Sequence, residues 1–156
     1  MWIQKLGKIN PDFYVLGTVQ TPVFLVKTRD SWILIEGGVS NIWEQVLSQL
    51  KDVVGDLNKV KYWFITHSHY DHCGLLEVLT PYIPNVQIVT SSLIRDAFQS
   101  KSANKVIKLL NQEILTDREA FEKQEKYPLS SLNLNILKEG ESFNCLLYTS
   151  PSPRDA

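Results

Sequence analysis

The stretch Thr66–Gly74, THSHYDHCG, decides how the rest of this chain is interpreted. It places three imidazoles and a carboxylate within six consecutive residues, and it contains every histidine of the 156-residue chain. Imidazole suits zinc, iron, copper and nickel, and an adjacent carboxylate favours a divalent metal in a mixed nitrogen and oxygen shell. A solvated polar loop is the alternative interpretation, but this clustering favours metal binding.

The spacing within the stretch indicates two ligand pairs. Trp63-Phe64-Ile65 precedes it and is typical of a buried strand end, so the ligands lie on a loop that leaves a strand. His67 and His69 can point the same way if this loop stays extended, whereas Asp71 and His72 follow at the turn into a helix. Two pairs of ligands suggest two metal ions.

The pattern His67-x-His69-x-Asp71-His72 after an apolar strand resembles the signature of the metallo-β-lactamase fold hydrolases. The resemblance implies that His67 and His69 bind one metal and that Asp71 and His72 bind the second. It also implies further His and Asp ligands C-terminal to the motif, although the chain has no fourth histidine. We therefore expect an α/β (α+β) fold, the N-terminal half of an αββα sandwich that carries half of a dinuclear site.

A narrower resemblance connects the chain to the quinolone-signal-response proteins, a branch of these hydrolases that acts on 2-aminobenzoylacetyl-CoA. Four segments carry it: Leu16–Leu25, Glu36–Ser40, Tyr62–Leu76 and Pro84–Gln87. The resemblance implies a thioester substrate and a dinuclear iron site, with zinc or manganese as alternatives. It also implies a protein partner, a quorum-sensing transcription regulator.

The mechanism expected for such a site is hydrolysis by a metal-bound hydroxide. Asp71 would hold the second metal and accept a proton from the attacking water. A thioester suits this chemistry because its leaving thiol, with a pKa of about 8.5, departs without a strong acid. Two alternatives stay open: a regulatory, partner-binding protein on the same fold, and a di-iron redox member of it.

Composition excludes several other classes. Residues are 44% hydrophobic and 21% charged, and the formal net charge is −1, so no electrostatic case exists for nucleic acid. No apolar run approaches the ~18 residues of a membrane span. Two cysteines provide no disulfide framework and fit a reducing compartment. We expect a cytoplasmic protein with a small-molecule ester or thioester substrate.

The pattern of apolar runs predicts a sheet covered by helices. Three β-rich runs (13–16, 23–26 and 32–35) predict a β-meander, and strands and helices then alternate. Asn41 is a candidate cap for the first helix, which continues to Leu50. A helical stretch over about 104–126, with a break near Asp117, is interpreted as an amphipathic cover. A substrate entrance or partner surface is the alternative for that stretch. Residues 135–137 predict a further strand or hairpin, together with Phe143.

Two further residues, Glu36 and Cys73, have alternative roles near the motif. Glu36 could hydrogen-bond the motif loop and hold its imidazoles, or be a plain carboxylate at a strand end. Cys73 follows His72 directly and could be a metal ligand or a nucleophile, but the neighbouring residues already supply ligands. We interpret Cys73 as a buried structural thiol.

The last residues resemble foreign sequence. Cys145 to Asp155 correspond to the in-frame translation of a transposase adapter used in sequencing libraries. We therefore expect residues 1–144 to be a truncated metallo-β-lactamase-like domain and residues 145–156 to be adapter readthrough. On this interpretation the 156-residue fragment is inactive, and the complete protein is a metal-dependent hydrolase.

Overall fold

The computed structural model describes residues 5–142, so the predictions for Phe143 and for the tail of residues 145–156 lie outside it. The strands of the described part are β1 (Gly7–Asn10), β2 (Phe13–Gly17), β3 (Pro22–Lys27), β4 (Trp32–Ile35), β5 (Val60–Phe64), β6 (Gln87–Ser91) and β7 (Leu134–Leu137). The helices are α1 (Trp43–Val54), α2 (Tyr70–Cys73), α3 (Leu76–Leu79), α4 (Ser92–Gln99), α5 (Lys101–Glu113) and α6 (Arg118–Glu122). Short 3₁₀ helices cover Ser40–Ile42, Leu57–Lys59, Thr80–Tyr82 and Leu129–Ser131.

One sheet contains all of these strands, in the spatial order of the chain from β1 to β7. β1 to β4 pair antiparallel, which confirms the predicted meander, and β4 to β7 pair parallel. The first strand was missed because its sequence, GKIN, has no run of β-branched or aromatic residues. Residues 134–137 form a parallel partner of β6, so the predicted strand is confirmed. The α/β fold class is confirmed.

The helices of the described part pack on one face of the sheet. Their buried apolar residues all belong to a single core cluster, which includes Leu25, Leu34 and Trp63 from the sheet. Other buried residues of the sheet lie outside that cluster, and side-chain alternation places them on the opposite face: Val15, Ile33 and Val89. The sheet therefore has two apolar faces, and the helices of residues 5–142 supply buried apolar side chains to one.

The parallel strands bring three loops to one edge. Ile35 pairs with Phe64, and Phe64 with Val89, so β4, β5 and β6 end at the same level. The loop after β4 begins with Glu36, and the loop after β5 carries the histidine motif. The carboxyl edge of a parallel sheet is where α/β proteins place ligand sites.

Several helix boundaries differ from the sequence predictions. The predicted long helix is divided into α5 and α6, and the expected break is confirmed, with Asp117 accepting a hydrogen bond from Ala120 N at 2.9 Å. The cap predicted at Asn41 is wrong. A 3₁₀ turn precedes α1, and the Asn41 side chain instead donates to the carbonyl of Ile114. None of the helices within residues 5–142 has the length and hydropathy that a bilayer crossing requires.

Candidate metal centre

The histidine motif forms a tight connection between β5 and α2. His69 has an extended backbone at the start of α2, with φ −68° and ψ 146°. Its carbonyl accepts hydrogen bonds from His72 N at 2.9 Å and Cys73 N at 3.1 Å. This turn brings the imidazoles together, because the ring centroids of His67 and His72 lie 4.2 Å apart and those of His67 and His69 lie 5.5 Å apart.

The distances within each predicted ligand pair suit one shared metal ion. An imidazole centroid lies about 3 Å from a bound ion, so two rings on one tetrahedral ion have centroids about 5 Å apart. His67 and His69 are close to that separation. In the second pair, His72 Nε2 lies 3.8 Å from Asp71 Oδ2, which is within the ~4.2 Å that an ion about 2.1 Å from each donor can span.

The described residues gather ligands in pairs and not in larger sets. Within residues 5–142, no group of three or more His, Cys, Asp or Glu side chains is arranged to hold a single ion. A structural or catalytic zinc site usually has three or four protein ligands. The described residues therefore supply at most two ligands to any one ion, fewer than a complete site has.

Glu36 fixes the orientation of one imidazole. Its Oε2 lies 2.6 Å from His72 Nδ1, in a contact between residues 36 positions apart. A carboxylate accepts hydrogen bonds, so the proton of the neutral imidazole lies on Nδ1 and the lone pair of Nε2 faces outward. This is the arrangement in which a carboxylate holds a metal-binding histidine, and it confirms the predicted contact between Glu36 and the motif loop.

Thr66 extends the same hydrogen-bond chain to His67. The Thr66 hydroxyl donates to Glu36 Oε1, so its oxygen is left to accept from His67 Nδ1 at 3.0 Å. The Nε2 lone pair of His67 is then available to a metal. Sequence reasoning missed Thr66, although a hydroxyl residue immediately before the first histidine was a signal for it.

The backbone of Glu36 is held in an unusual conformation. Its φ is +71°, the single positive φ among the non-glycine residues described. Three hydrogen bonds secure this region: Glu36 N donates to Phe64 O at 2.9 Å, the buried Trp63 indole donates to Glu36 O at 2.9 Å, and Gly37 N donates to His72 O at 2.8 Å. Strained backbone of this kind persists where surrounding structure determines it, and it clusters at functional sites.

Two glycines allow the Glu36 loop and the motif to pack at backbone distance. A Cβ at Gly37 would lie 2.7 Å from His72 O, and a Cβ at Gly74 would lie 2.7 Å from both Ser40 N and Tyr70 O. Backbone hydrogen bonds cross the same contact, from Gly74 N to Gly38 O and from Leu75 N to Gly37 O. No other residue type fits at Gly37 or Gly74 without displacing the ligand loop.

Cys73 has the environment of a structural thiol. Its side chain is 1% exposed and donates to the carbonyl of His69 at 3.2 Å. Burial raises the pKa of the Cys73 thiol to about 12, and nearby carboxylates act in the same direction. A protonated, buried thiol is a poor nucleophile and ligand.

Solved structures of similar fold include metallo-β-lactamases, several of them described as class B3. One, described as the first with an active-site glutamic acid, has a TM-score of 0.62 and 20% identity, covering 90% of this chain and 48% of that one. The enzyme Rm3 has a TM-score of 0.63 and 19% identity, covering 88% and 46%. The di-zinc enzyme LRA-12, from an Alaskan soil metagenome, has a TM-score of 0.54 and 19% identity, covering 60% and 35%.

The chain thus spans about half the length of these solved structures, or less. At this level of identity the likeness concerns the fold. A family comparison reaches further, because the sequence model of the Metallo-beta-lactamase superfamily matches residues 16–130, well over half of the chain. Those residues include the whole motif and the Glu36 loop that holds it. The chain therefore belongs to the metallo-beta-lactamase superfamily.

Proposed function

We propose that this chain is part of a dinuclear metal-dependent hydrolase that acts on a thioester. Superfamily members are metallo-hydrolases, and the pairs of ligands support two ions here. The observation that carries the proposal is the hydrogen-bond chain from Glu36. In this chain of bonds, Nδ1 of His72 contacts Glu36, and Nδ1 of His67 contacts Thr66. The Nε2 atoms of both histidines are therefore left to bind metal.

The residues of the chain have separate tasks in this proposal. His67 and His69 hold the first ion, while Asp71 and His72 hold the second. When bound, two divalent ions supply an activated water and polarise the substrate carbonyl. Asp71, whose side chain is 41% exposed, would also accept the proton of the attacking water.

The leaving group favours a thioester over an amide. A thiol with a pKa of about 8.5 leaves as thiolate, whereas an amine must be protonated by an acid. Among the described residues of the motif loop, Tyr70 is the one candidate acid, and it packs against the core cluster. We propose iron as the native metal, by resemblance to the quinolone-signal-response proteins. Zinc is the alternative and is the metal of the class B3 enzyme LRA-12.

We further propose that residues 1–144 are the N-terminal part of a longer domain, and that residues 145–156 are foreign to it. The coverage of about half of each solved relative supports this proposal. The paired ligands support it as well, since each ion then gains its remaining protein ligands from the other part.

Substitution of one ligand from each pair tests the function. The test uses the protein expressed from the unbroken gene, meaning the gene read past the codon for Asn144 without the adapter-like tail. In that protein, Asp71→Ala and His67→Ala should each remove about one equivalent of metal and most thioester turnover, because both ions position the reacting groups. Elemental analysis gives the metal content, and CoA release from acyl-CoA substrates gives the rate. Asp52→Ala, an exposed carboxylate on α1, is the matched control.

Two outcomes would contradict the proposal. Full turnover by Asp71→Ala would show that the motif is not the reaction centre. Two tightly bound irons without hydrolysis of any acyl-CoA would instead favour the redox alternative.

A further inference from the structure

Helix α5 exposes an apolar stripe beside the metal centre. The stripe consists of Ala103, Val106, Ile107 and Leu110, which follow the i, i+3, i+4, i+7 spacing of one helix face. Ile107 is buried in the core, but Val106 is 55% exposed and Leu110 is 37% exposed. Within residues 5–142, packing against the core therefore accounts for Ile107 but not for Val106 or Leu110.

The stripe forms one wall of a cavity of about 560 Å³. Ser68, His69, Tyr70 and Asp71 form the facing wall, so the cavity ends at one ligand of each proposed metal ion. Its volume is within the 300–1,000 Å³ typical of small-molecule pockets. Any occupant of this cavity therefore lies next to the reacting groups.

The lining determines the chemistry of the occupant. The α5 wall is apolar over about 10 Å, from Ala103 to Leu110, and it carries no charged side chain. The carboxylate and the imidazole lie on the opposite wall, at the motif. A substrate with an apolar body and a carbonyl end fits both walls.

We propose that this cavity is the acyl pocket of the enzyme, and that Val106 and Leu110 select thioesters with a bulky apolar acyl group. The inference rests on the proposed thioester hydrolysis and names its substrate class. Ile107 anchors the helix to the core. Ala103, as the smallest member of the stripe, leaves room beside the motif.

Binding of unreactive CoA thioethers tests the pocket without turnover. In the metal-loaded protein expressed from the unbroken gene, calorimetry should show S-octyl-CoA binding at least about tenfold more tightly than S-ethyl-CoA, because the octyl chain buries apolar surface. The double variant Val106→Ser with Leu110→Ser should lose most of that preference. Val106→Trp, which fills the cavity, should lose it too. Leu109→Ser is the matched control, because Leu109 is 50% exposed on the same helix but does not line the cavity.

Hydrolysis assays separate this inference from the proposed function. The ratio of kcat/KM for octanoyl-CoA over acetyl-CoA should fall about tenfold in the double variant and stay unchanged in Leu109→Ser. Selective octyl binding that depends on Val106 and Leu110, without hydrolysis of any acyl-CoA, would support the pocket and reject the hydrolase. Hydrolysis in which the ratio of kcat/KM for octanoyl-CoA over acetyl-CoA is the same in every variant would support the hydrolase and overturn the pocket. Absence of octyl selectivity in the unmodified protein would also overturn it.

Discussion

Glu36 combines an unfavourable backbone conformation with two hydrogen bonds to the ligand loop. A residue with a Cβ at φ +71° is less stable than glycine there by about 1–2 kcal/mol. The conformation aims the carboxylate at Thr66 and His72. The positive φ of Glu36 therefore lowers the stability of the fold, while its carboxylate orients the imidazoles. Different substitutions at position 36 separate the two effects.

Glycine and alanine at position 36 should differ in stability but not in metal affinity. Glu36→Gly should be about 1 kcal/mol more stable to urea than Glu36→Ala, because glycine adopts positive φ without strain. Both should bind metal about 10–100-fold more weakly than the unmodified protein, since His72 loses its partner. Competition with a chromogenic chelator measures the affinity.

Glu36→Gln serves as the near-isosteric control for that comparison. An amide keeps the shape but presents a donor to one of the two partners, so metal affinity should fall here as well. Unchanged metal affinity in Glu36→Gly would show that the carboxylate does not position the imidazoles.

The candidate ligands could be identified from the sequence, whereas the hydrogen bonds that orient them could not be predicted in full. His67, His69, Asp71 and His72 are adjacent in the chain, and their residue types indicate metal binding directly. The contact of Glu36 with the motif was one of two open interpretations. Its geometry depends on the parallel pairing of β4 with β5, which aligns Ile35 with Phe64. Residue types do not specify that register.

At the scale of elements, two loops are held together through glycine. The loop after β4 and the loop after β5 approach so closely at Gly37 that a side chain there would contact backbone atoms. Backbone cannot rotate away as a flexible side chain can. The position of α2, and with it His72, therefore depends on the absence of a methyl group.

Alanine substitutions should distinguish a glycine that packs against backbone atoms, such as Gly37, from a glycine with open space around it. Gly37→Ala should lower the free energy of unfolding by about 2–3 kcal/mol, because its Cβ would lie 2.7 Å from His72 O. Gly140→Ala should cost only about 1 kcal/mol, since Gly140 has φ +79° in an ordinary turn but nothing within 4 Å of a Cβ. Urea denaturation of the metal-free proteins measures both.

Metal binding gives an independent check on Gly37. Gly37→Ala should also weaken metal binding through displacement of His72, whereas Gly140→Ala should not. Equal stability losses for the two variants would argue against close packing of the loops.

Apolar periodicity predicted most of the strands and helices, with errors where local signals are weak. The break at Asp117 carried a capping signal, and the structure contains it. β1 has no apolar run, and its extended conformation is instead stabilised by antiparallel pairing with β2. For the face of α5 the sequence favours a cover helix, with a substrate entrance or partner surface as the alternative. Periodicity identifies an apolar face but does not show whether protein or ligand occupies it.

At the scale of the whole molecule, the described helices pack on one face of a sheet whose other face is also apolar. Val15, Ile33 and Val89 belong to that second face and not to the main core. Solved relatives are about twice as long as this chain. Within residues 5–142, the apolar area that helices bury on the sheet therefore lies mainly on one face.

The 156-residue chain should melt broadly and bind a hydrophobic dye, whereas the product of the unbroken gene should melt cooperatively. Amplification from source nucleic acid should give codons after Asn144 that diverge from Cys145-Leu146-Leu147 and continue to further His and Asp residues. A sharp two-state transition of the 156-residue chain would contradict the first expectation. A genomic clone that reads through to Arg154 and then stops would contradict the second.

The contact between Glu36 and His72 also has a kinetic consequence. These residues are 36 positions apart, and the crossover from β4 to β5 must close before they meet. Closing a loop of that length has an entropic cost that precedes any gain from the contact. We therefore expect the oriented imidazoles to form late in folding, so that an unfolded chain offers a metal only loosely placed donors. Added metal is expected to slow unfolding without accelerating folding.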